Sequence, residues 1–246
     1  MDRAPVGNRL LDTLPRSDFE LLRPNLRLVA LERDAILLHS GSVAEQIFFP
    51  TSGLIASIME MPNGGSAATA LFGNEGASGM LVSLGPVPSP TTAVVRVAGN
   101  AWQISPAPFN AALRRSSAIG KMVQTFTRAL VAQLQHIAAC NALHSVEQRM
   151  AGWLLRLHDQ TDDDVLLVTH EALAELLGVR RPTVTLVAAK LKDAGAIRSA
   201  RRGVVEVDRR QLEAATCQCY QAISARLDRI VPRKVPSAFP ARLTGP

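Results

Sequence analysis

Two short apolar sets with helical spacing lie close together towards the C-terminal end of the chain. They comprise Leu173, Ala174 and Leu177, followed by Val184, Val187, Ala188 and Leu191. Gly178 separates the two sets and can adopt the left-handed conformation that ends a helix. The pattern predicts two short helices joined by a tight turn, which is the arrangement of a helix-turn-helix.

The residues that flank these sets support the same boundaries. Thr169 is a candidate N-cap, and Glu171 follows in the first helical turn, where a carboxylate is favourable. Pro182 suits the first turn of the second helix, because a missing N–H costs least there. Residues 197–199 and 204–207 are predicted to form a small hairpin directly afterwards. The whole unit is therefore predicted to be a winged helix.

Positive charge is concentrated in this unit. Residues 169–210 contain nine lysines and arginines against five aspartates and glutamates, and this excess suits a phosphate backbone. The candidates for contacts to DNA bases and phosphates surround the start of the second helix and the tip of the hairpin. They are Thr169, His170, Arg180, Arg181, Pro182, Thr183, Thr185, Lys190, Arg201 and Arg202.

The chain has a different pattern between residues 26 and 102, where short apolar runs alternate with glycine, proline, asparagine and serine. Strands at roughly ten-residue spacing are typical of an antiparallel barrel or jelly roll. Asn63-Gly64 suits a hairpin turn between two of these strands. Glycines in the segment FGNEGASGM could let the backbone approach a small ligand, although glycine in β domains more often marks turns and bulges.

A long apolar stripe follows the β domain. Its residues are spaced by three and four and predict a helix that runs to about residue 143. They are Ile119, Val123, Phe126, Leu130, Leu134 and Ile137. A helix with such a seam between a β domain and a DNA-binding domain is predicted to form a homodimer interface. The alternative is that the stripe packs on its own barrel, which would leave the protein monomeric.

The predicted organisation has four parts. Residues 8–104 form the β domain, 105–143 the helical linker and dimerisation helix, 144–231 the winged helix with an extra C-terminal helix at 209–231, and 232–246 a loose tail. The predicted fold class is α+β.

Composition narrows the class of protein. The net charge of +6 favours a polyanionic partner, although charge alone does not separate nucleic acid from an anionic membrane. No apolar run reaches the roughly 18 residues of a membrane span, and the N-terminal segment lacks the apolar core of a signal peptide. The three cysteines form no even disulfide set. We therefore expect a cytoplasmic protein without membrane contact.

The segment THEALAELLGVRRPTVTLVAAKLKDAGAI resembles the DNA-binding signature of the Crp/Fnr transcription regulators. IFFPTSGLIAS and LFGNEGASGM resemble a subgroup of that family whose cyclic-nucleotide site has degenerated. The resemblance implies an N-terminal cyclic-nucleotide-binding-like β-roll with a sensor role, a long dimerisation helix and a C-terminal winged helix-turn-helix. It implies that Arg181 reads a guanine, that Thr169 and Thr183 contact phosphates, and that Arg202 is a basic wing residue.

This chain departs from the family at two kinds of position. Pro182 and Leu186 stand where the cyclic-AMP receptor protein has base-contacting side chains, so a different operator is expected. The sensor lacks the family's GEL segment, and Thr91 and Thr92 replace its Arg-Ser/Thr pair. Without that arginine a cyclic phosphate has no charge-assisted partner, so cyclic AMP is not the expected effector. The possible effector pocket then comprises Gly73, Glu75, Gly76, Ser78, Gly79, Thr91 and Thr92.

No cofactor site is recognised in the sequence. The iron–sulfur branch of the family needs four cysteines, whereas only Cys140, Cys217 and Cys219 are present. Cys217-Gln218-Cys219 lacks the spacing of a zinc half-site and is interpreted as a helix-surface pair. We therefore predict no metal, haem or iron–sulfur cluster.

Residues that would carry enzyme chemistry are sparse. A cupin-like metal site needs several ligands inside the barrel, but residues 26–104 contain only one histidine, His39. His170-Glu171 begins like a zincin motif, yet Ala174 stands where the second histidine belongs. The sequence therefore predicts a non-enzyme, with a cupin-like metalloenzyme as the less favoured alternative.

The resulting prediction is a homodimeric regulator that binds a roughly palindromic site in double-stranded DNA. Its effector is unknown, and RNA polymerase is a further partner if the protein activates genes. A second alternative is an effector-sensing protein whose helix-turn-helix makes protein contacts only.

Overall fold

The β domain consists of two antiparallel sheets that share one apolar core. The computed structural model describes residues 4–161, 163–201 and 203–232, with backbone only for 199–201. The strands of this domain are β1 (Arg27–Leu31), β2 (Ile36–Leu38), β3 (Ile47–Pro50), β4 (Leu54–Glu60), β5 (Ser66–Phe72), β6 (Thr92–Val97) and β7 (Gly99–Ile104). One sheet has the order β1-β7-β3 and the other β2-β6-β4-β5. The predicted α+β class with an N-terminal antiparallel β domain is confirmed.

The hairpin between β4 and β5 turns at the predicted place. Gly64 has a φ of 81°, a value that a glycine adopts without steric cost. The Met61 N–H donates to the Gly65 carbonyl over 2.7 Å and closes the turn. β5 is an outer strand of the four-stranded sheet.

In the sequence, α-helices precede and follow the strands of this β domain. α1 (Arg9–Asp12) and α2 (Arg16–Leu22) precede the strands, whereas α3 (Pro106–Arg115) and α4 (Ser117–Leu143) follow them. The predicted linker is thus two helices, which are separated at Ser116. The Ser116 hydroxyl accepts a hydrogen bond from the Ile119 N–H and caps α4.

Helix α4 is fixed to the outer strand β5 by a buried side chain. The Gln133 Oε1 accepts a hydrogen bond from the Leu71 N–H, and its Nε2 donates to the Leu71 carbonyl over 3.2 Å. One glutamine thereby replaces the neighbouring strand that an outer strand lacks. This contact explains why the long helix follows the edge of the sheet.

Most of the apolar stripe of α4 is covered by the chain itself. Ile119, Val123, Phe126 and Ile137 are all buried in the core that the chain itself forms with its β domain. Side chains that are already covered within one chain add little area to a contact between two chains. Of the six predicted interface residues, only Leu130 and Leu134 remain partly accessible.

The C-terminal part is a winged helix. It contains α5 (Val146–His158), β8 (Val165–Leu167), α6 (His170–Leu177), α7 (Arg181–Asp193), β9 (Ile197–Arg201) and β10 (Val204–Val207). The three strands form an antiparallel sheet in the order β8-β10-β9. After the hairpin, Asp208 caps the next helix through the Gln211 N–H and also accepts from Arg198, and both contacts lower the pKa of Asp208.

The predicted single helix at 209–231 is wrong. Two helices, α8 (Arg209–Ala215) and α9 (Cys219–Ile230), are separated by residues 216–218. α9 then leaves the winged helix and packs along α4. Its residues Ile223 and Leu227 enter the core of the β domain. Of the predicted tail, only residue 232 is among the described residues, and 233–246 lie outside them.

The winged helix packs against the outer face of the four-stranded sheet. Leu54, Ala56 and Ile58 of β4 belong to the same apolar cluster as residues of α5 and α6. Arg96 of β6 forms ion pairs with Asp34 over 3.0 Å and with Glu175 of α6. Burial lowers the pKa of Arg96, and Asp34 opposes this effect. The two parts of the chain are therefore joined by a shared core and by a buried arginine.

Candidate nucleic-acid interface

The first helix of the helix-turn-helix begins and ends at the predicted residues. The Thr169 Oγ1 accepts a hydrogen bond from the Ala172 N–H over 3.0 Å. Gly178 ends α6 in the left-handed conformation, with a φ of 66°. A Cβ at Gly178 would also lie 3.0 Å from the Cβ of Ala67 in β5. Glycine is thus needed here both for the turn and for the contact with the β domain.

The second helix, α7, has one apolar face and one open face. Val184, Val187, Ala188 and Leu191 are buried against the rest of the winged helix. Pro182 lies in its first turn, as predicted. The exposed residues of the helix are Arg181, Pro182, Thr185, Leu186, Ala189, Lys190, Lys192 and Asp193. The helix therefore presents a mixed polar and apolar surface to solvent.

The start of α7 carries free hydrogen-bond donors. The Arg181 side chain is 68% exposed, and its Nε lies 3.7 Å from the Glu171 Oε2 in a loose, solvated pair. Arg180 occupies the N-cap position without a side-chain capping bond and is also exposed. A guanidinium held this loosely can change partner without a large loss of energy.

A polar contact links the two helices on the open side. The His170 Nδ1 lies 3.2 Å from the Thr185 Oγ1, which donates to the Arg181 carbonyl over 3.3 Å. With the threonine proton used in this way, the Nδ1 of His170 is the donor of the contact. Thr183, two residues before Thr185, is partly buried, and its N–H donates to the Arg180 carbonyl.

The structure describes the side chains of eight of the ten predicted DNA-contacting residues, and all eight lie within the helix-turn-helix or at its N-cap. The eight are Thr169, His170, Arg180, Arg181, Pro182, Thr183, Thr185 and Lys190. Arg202 lies outside the described residues, and only the backbone of Arg201, at the end of β9, is described. Leu186 was not predicted as a contact, yet its side chain is 68% exposed. Its position between Thr185 and Lys190 on the open face of α7 was the signal for it.

A second feature is a cavity of about 420 Å³ between the β domain and α4. None of the described residues that line it is charged. Its apolar walls include Phe72, Met80 and Leu130, and its polar groups are the hydroxyls of serines and threonines. The Ser57 hydroxyl donates to the Thr91 Oγ1 over 2.7 Å. The cavity can therefore hold an uncharged molecule but offers no ion pair.

Only part of the predicted effector set lines this cavity, namely Ser78, Gly79 and Thr91. Gly73 and Glu75 face Gln160 and the winged helix, because the chain turns outward after β5. Gly76 packs on Phe72. The buried Thr92 hydroxyl donates to Glu60 over 3.0 Å. These four residues therefore do not line this cavity.

The third feature is a group of side chains that could hold a metal ion. The Sγ atoms of Cys140, Cys217 and Cys219 and a ring nitrogen of His144 lie within 4.8 Å of one another. The prediction of a helix-surface cysteine pair is wrong, because Cys217 is buried and lies 3.7 Å from Cys140. Burial and the neighbouring thiols raise the pKa of Cys140 to about 12.

The described residues thus define a two-part protein in which a β domain with an internal cavity supports a winged helix. Residues 148–215 match the sequence model of the Crp-like helix-turn-helix domain. They form a domain of this family, and the chain as a whole has the fold of the Crp/Fnr transcription regulators. The resemblance noted in the sequence is confirmed.

Solved structures agree with this assignment at low sequence identity. A Crp/Fnr-family regulator from Eubacterium rectale has a TM-score of 0.67 and 16% identity, and the match covers 84% of this chain and 96% of that one. FixK2 from Bradyrhizobium japonicum has a TM-score of 0.64 and 13% identity, with coverages of 78% and 98%. The c-di-GMP-responsive regulator CLP from Xanthomonas campestris has a TM-score of 0.63 and 18% identity, with coverages of 78% and 99%.

Two further comparisons bear on the class of protein. No curated protein matches this chain in sequence. Among the helices within the described residues, none combines the length and apolar character that crossing a bilayer requires.

Proposed function

We propose that this protein is a sequence-specific, DNA-binding transcription regulator. The observation that carries the proposal is the open face of α7, where Arg181, Thr185 and Lys190 are exposed while the opposite face is buried. An α-helix with exposed donors at its start fits the major groove and can reach base edges. The similar proteins named above as regulators support the same function and give no support to an enzyme.

Separate side chains serve base reading and phosphate binding in this proposal. Arg181 donates two hydrogen bonds to a guanine, whereas Leu186 packs on the methyl group of a thymine. Thr169 accepts a bond within its own helix and so keeps its hydroxyl proton for a phosphate oxygen. Arg180 and Lys190 add positive charge beside the duplex. Arg201 and Arg202 are proposed as wing contacts to the backbone.

Replacing Arg181 with alanine should weaken binding to the specific operator by about 1–3 kcal/mol and relax the choice of base at one position. The operator is first selected from genomic fragments, and affinity is then measured on the operator and on a random duplex. The control is Arg229→Ala, which removes the same charge from an exposed position on α9. Equal losses on both duplexes for Arg181→Ala would contradict the role in base reading.

The salt dependence of DNA affinity distinguishes this proposal from the alternative that the helix-turn-helix contacts only proteins. Binding through phosphates releases counterions, so the affinity for DNA falls steeply as salt rises. A gel shift titrated with salt therefore belongs to the same experiment. Absence of any DNA complex at low salt would favour the alternative of protein contacts.

We further propose a homodimer, formed through the exposed side of α4. Val131 and Leu134 are 46% and 39% exposed and lie with Thr127 and Ala138 on a stripe without charged residues. Their spacing of four, three and four residues suits a contact between two helices. Two winged helices related by a twofold axis would bind half-sites about 34–36 Å apart.

The cavity supports a proposal about the effector. A cyclic nucleotide carries a phosphate, and a buried phosphate needs a positive partner. The described lining residues provide none, so we propose an uncharged and largely apolar ligand. Leu134 lines the cavity and is also part of the exposed stripe, so a bound ligand would alter the surface offered to a second copy.

Neutral compounds should raise the melting temperature of the protein, whereas cyclic AMP should not. A ligand at 100 times its Kd adds about 2.7 kcal/mol to the stability of the folded state. Thermal shift measurements with 1-octanol, a neutral aromatic alcohol and cyclic AMP compare the two classes. Stabilisation by cyclic AMP alone would show that the cavity is not the kind of site proposed.

A further inference from the structure

Four potential metal ligands converge at the joint between the long helix and the C-terminal helix. Cys140 lies in the last turn of α4, and His144 follows the end of that helix. Cys217 precedes α9, and Cys219 is its first residue. About 70 residues of chain, including the whole helix-turn-helix, separate the two pairs. The tertiary fold alone therefore brings the four side chains together.

Two of the distances between the ligand atoms match those around one tetrahedral zinc ion. Zinc bonds of about 2.3 Å to sulfur and 2.0–2.1 Å to nitrogen place two sulfur ligands about 3.8 Å apart, and sulfur and nitrogen about 3.6 Å apart. The Cys140 and Cys217 Sγ atoms are 3.7 Å apart. The Cys219 Sγ and His144 Nδ1 are 3.5 Å apart. All four ligand atoms lie within 4.8 Å of one another.

The surroundings supply a balancing positive charge. Arg156 of α5 lines the same small hollow as Cys140, Cys217 and Cys219. Its Nη2 is buried and has no hydrogen-bond partner among the described residues. Three thiolates and a neutral histidine around a divalent ion carry a net charge of −1. The guanidinium of Arg156 also interacts with the carboxylates of Glu75 and Asp159, so it offsets part of that charge.

We propose that Cys140, His144, Cys217 and Cys219 bind one Zn²⁺ ion as a structural site. The set of three thiolates and one imidazole suits zinc and leaves no coordination position for a substrate. The ion would fix the start of α9 to the end of α4. Since α9 also packs in the core of the β domain through Ile223 and Leu227, the site would hold the winged helix in place against that domain. This proposal replaces the prediction that no metal is bound.

Metal content of the full-length protein tests the proposal without any DNA readout. Protein purified under reducing conditions should contain about one zinc per chain by elemental analysis. After removal of the zinc, Co²⁺ should bind and give the visible bands of a tetrahedral ion together with a thiolate-to-metal band in the near ultraviolet. Reduced wild-type protein that binds neither ion would overturn the proposal.

Substitutions distinguish the proposed metal ligands from nearby side chains that do not bind the metal. Cys140→Ser and Cys219→Ser should lower the Co²⁺ affinity by more than the 10–100-fold that the loss of an outer partner costs, as a rough guide. His136→Gln is the control, because His136 lies on α4 two turns before His144 and is not among the four ligands. Equal metal binding by the control and by both serine variants would contradict the assignment.

If a serine variant fails to fold, variants of His144 test the metal site independently. His144→Cys should retain the metal, because four thiolates also form a tetrahedral zinc site, and it should shift the Co²⁺ bands. His144→Ala should lose most of the affinity. Retention of the same spectrum in both variants would exclude His144 as a ligand. A Cys140–Cys217 disulfide that persists in reductant, shown by mass spectrometry, would also refute the site.

Discussion

Glutamate at both Val131 and Leu134 should convert a dimer of this chain into monomers. A twofold contact through α4 would bury four new carboxylates per dimer, and unpaired buried charges cost several kcal/mol. We expect a loss of about 4 kcal/mol or more, which raises the Kd of the dimer about a thousandfold. Light scattering over a range of concentrations measures this change. Binding to a two-half-site operator should fall with it, because a monomer contacts only one half-site.

The control for the double substitution of Val131 and Leu134 places its two carboxylates on another side of α4. Ala132→Glu with Ala139→Glu adds the same number of carboxylates on a flank of α4 roughly 100° away from Val131. Ala139 is exposed and Ala132 is half-buried, and neither belongs to the uncharged stripe. The control variant should remain dimeric. A monomeric wild-type protein, or dissociation by the control alone, would contradict the proposed interface.

The helix-turn-helix could be predicted from the sequence because its signals are local. Thr169 caps α6, Gly178 ends it and Pro182 starts α7, and each of these roles depends on neighbours only a few residues away. The order of β domain, long helix and winged helix could be predicted in the same way. The break at residues 216–218 could not, because the apolar residues on both sides of it keep a helical spacing.

The side of α4 that we propose to meet a second copy could not be predicted from the spacing of its apolar residues. A stripe such as Val123, Phe126 and Leu130 shows that one face of a helix is covered, but it does not show what covers it. The structure shows that the chain's own sheet covers that face, with Gln133 joined to Leu71. The less apolar neighbouring face, around Val131, is then the one available for a partner.

The cluster of Cys140, His144, Cys217 and Cys219 shows a different limit of prediction from the sequence. Known zinc motifs place their ligands in close pairs with fixed spacing, and Cys217-Gln218-Cys219 does not match them. Cys140 and His144 are four residues apart at the end of α4, a spacing at which two side chains can bind one ion. Their contact with Cys217 depends on how α9 returns to α4, and no local pattern reports this return.

Phe126→Ala should lower the free energy of unfolding by about 3–5 kcal/mol, the cost of removing a buried aromatic side chain. Phe126 is 3% exposed, and its ring centre lies 6.0 Å from that of Phe72. The ring also closes one wall of the apolar cavity, so alanine would enlarge a space that has few polar partners for water. Urea denaturation with fluorescence and circular dichroism measures the loss.

The same variant decides between the two faces of α4. If Phe126 packs within its own chain, alanine should lower the unfolding midpoint equally at low and high protein concentration, and the dimer Kd should change little. If Phe126 lay in the contact between chains, the Kd should rise, and the effect on stability should depend on concentration. Leu134→Ala is the matched comparison, because Leu134 is on the accessible side and should show the second behaviour. A rise in the dimer Kd for Phe126→Ala as well as for Leu134→Ala would restore the interface predicted from the sequence, which contains both residues.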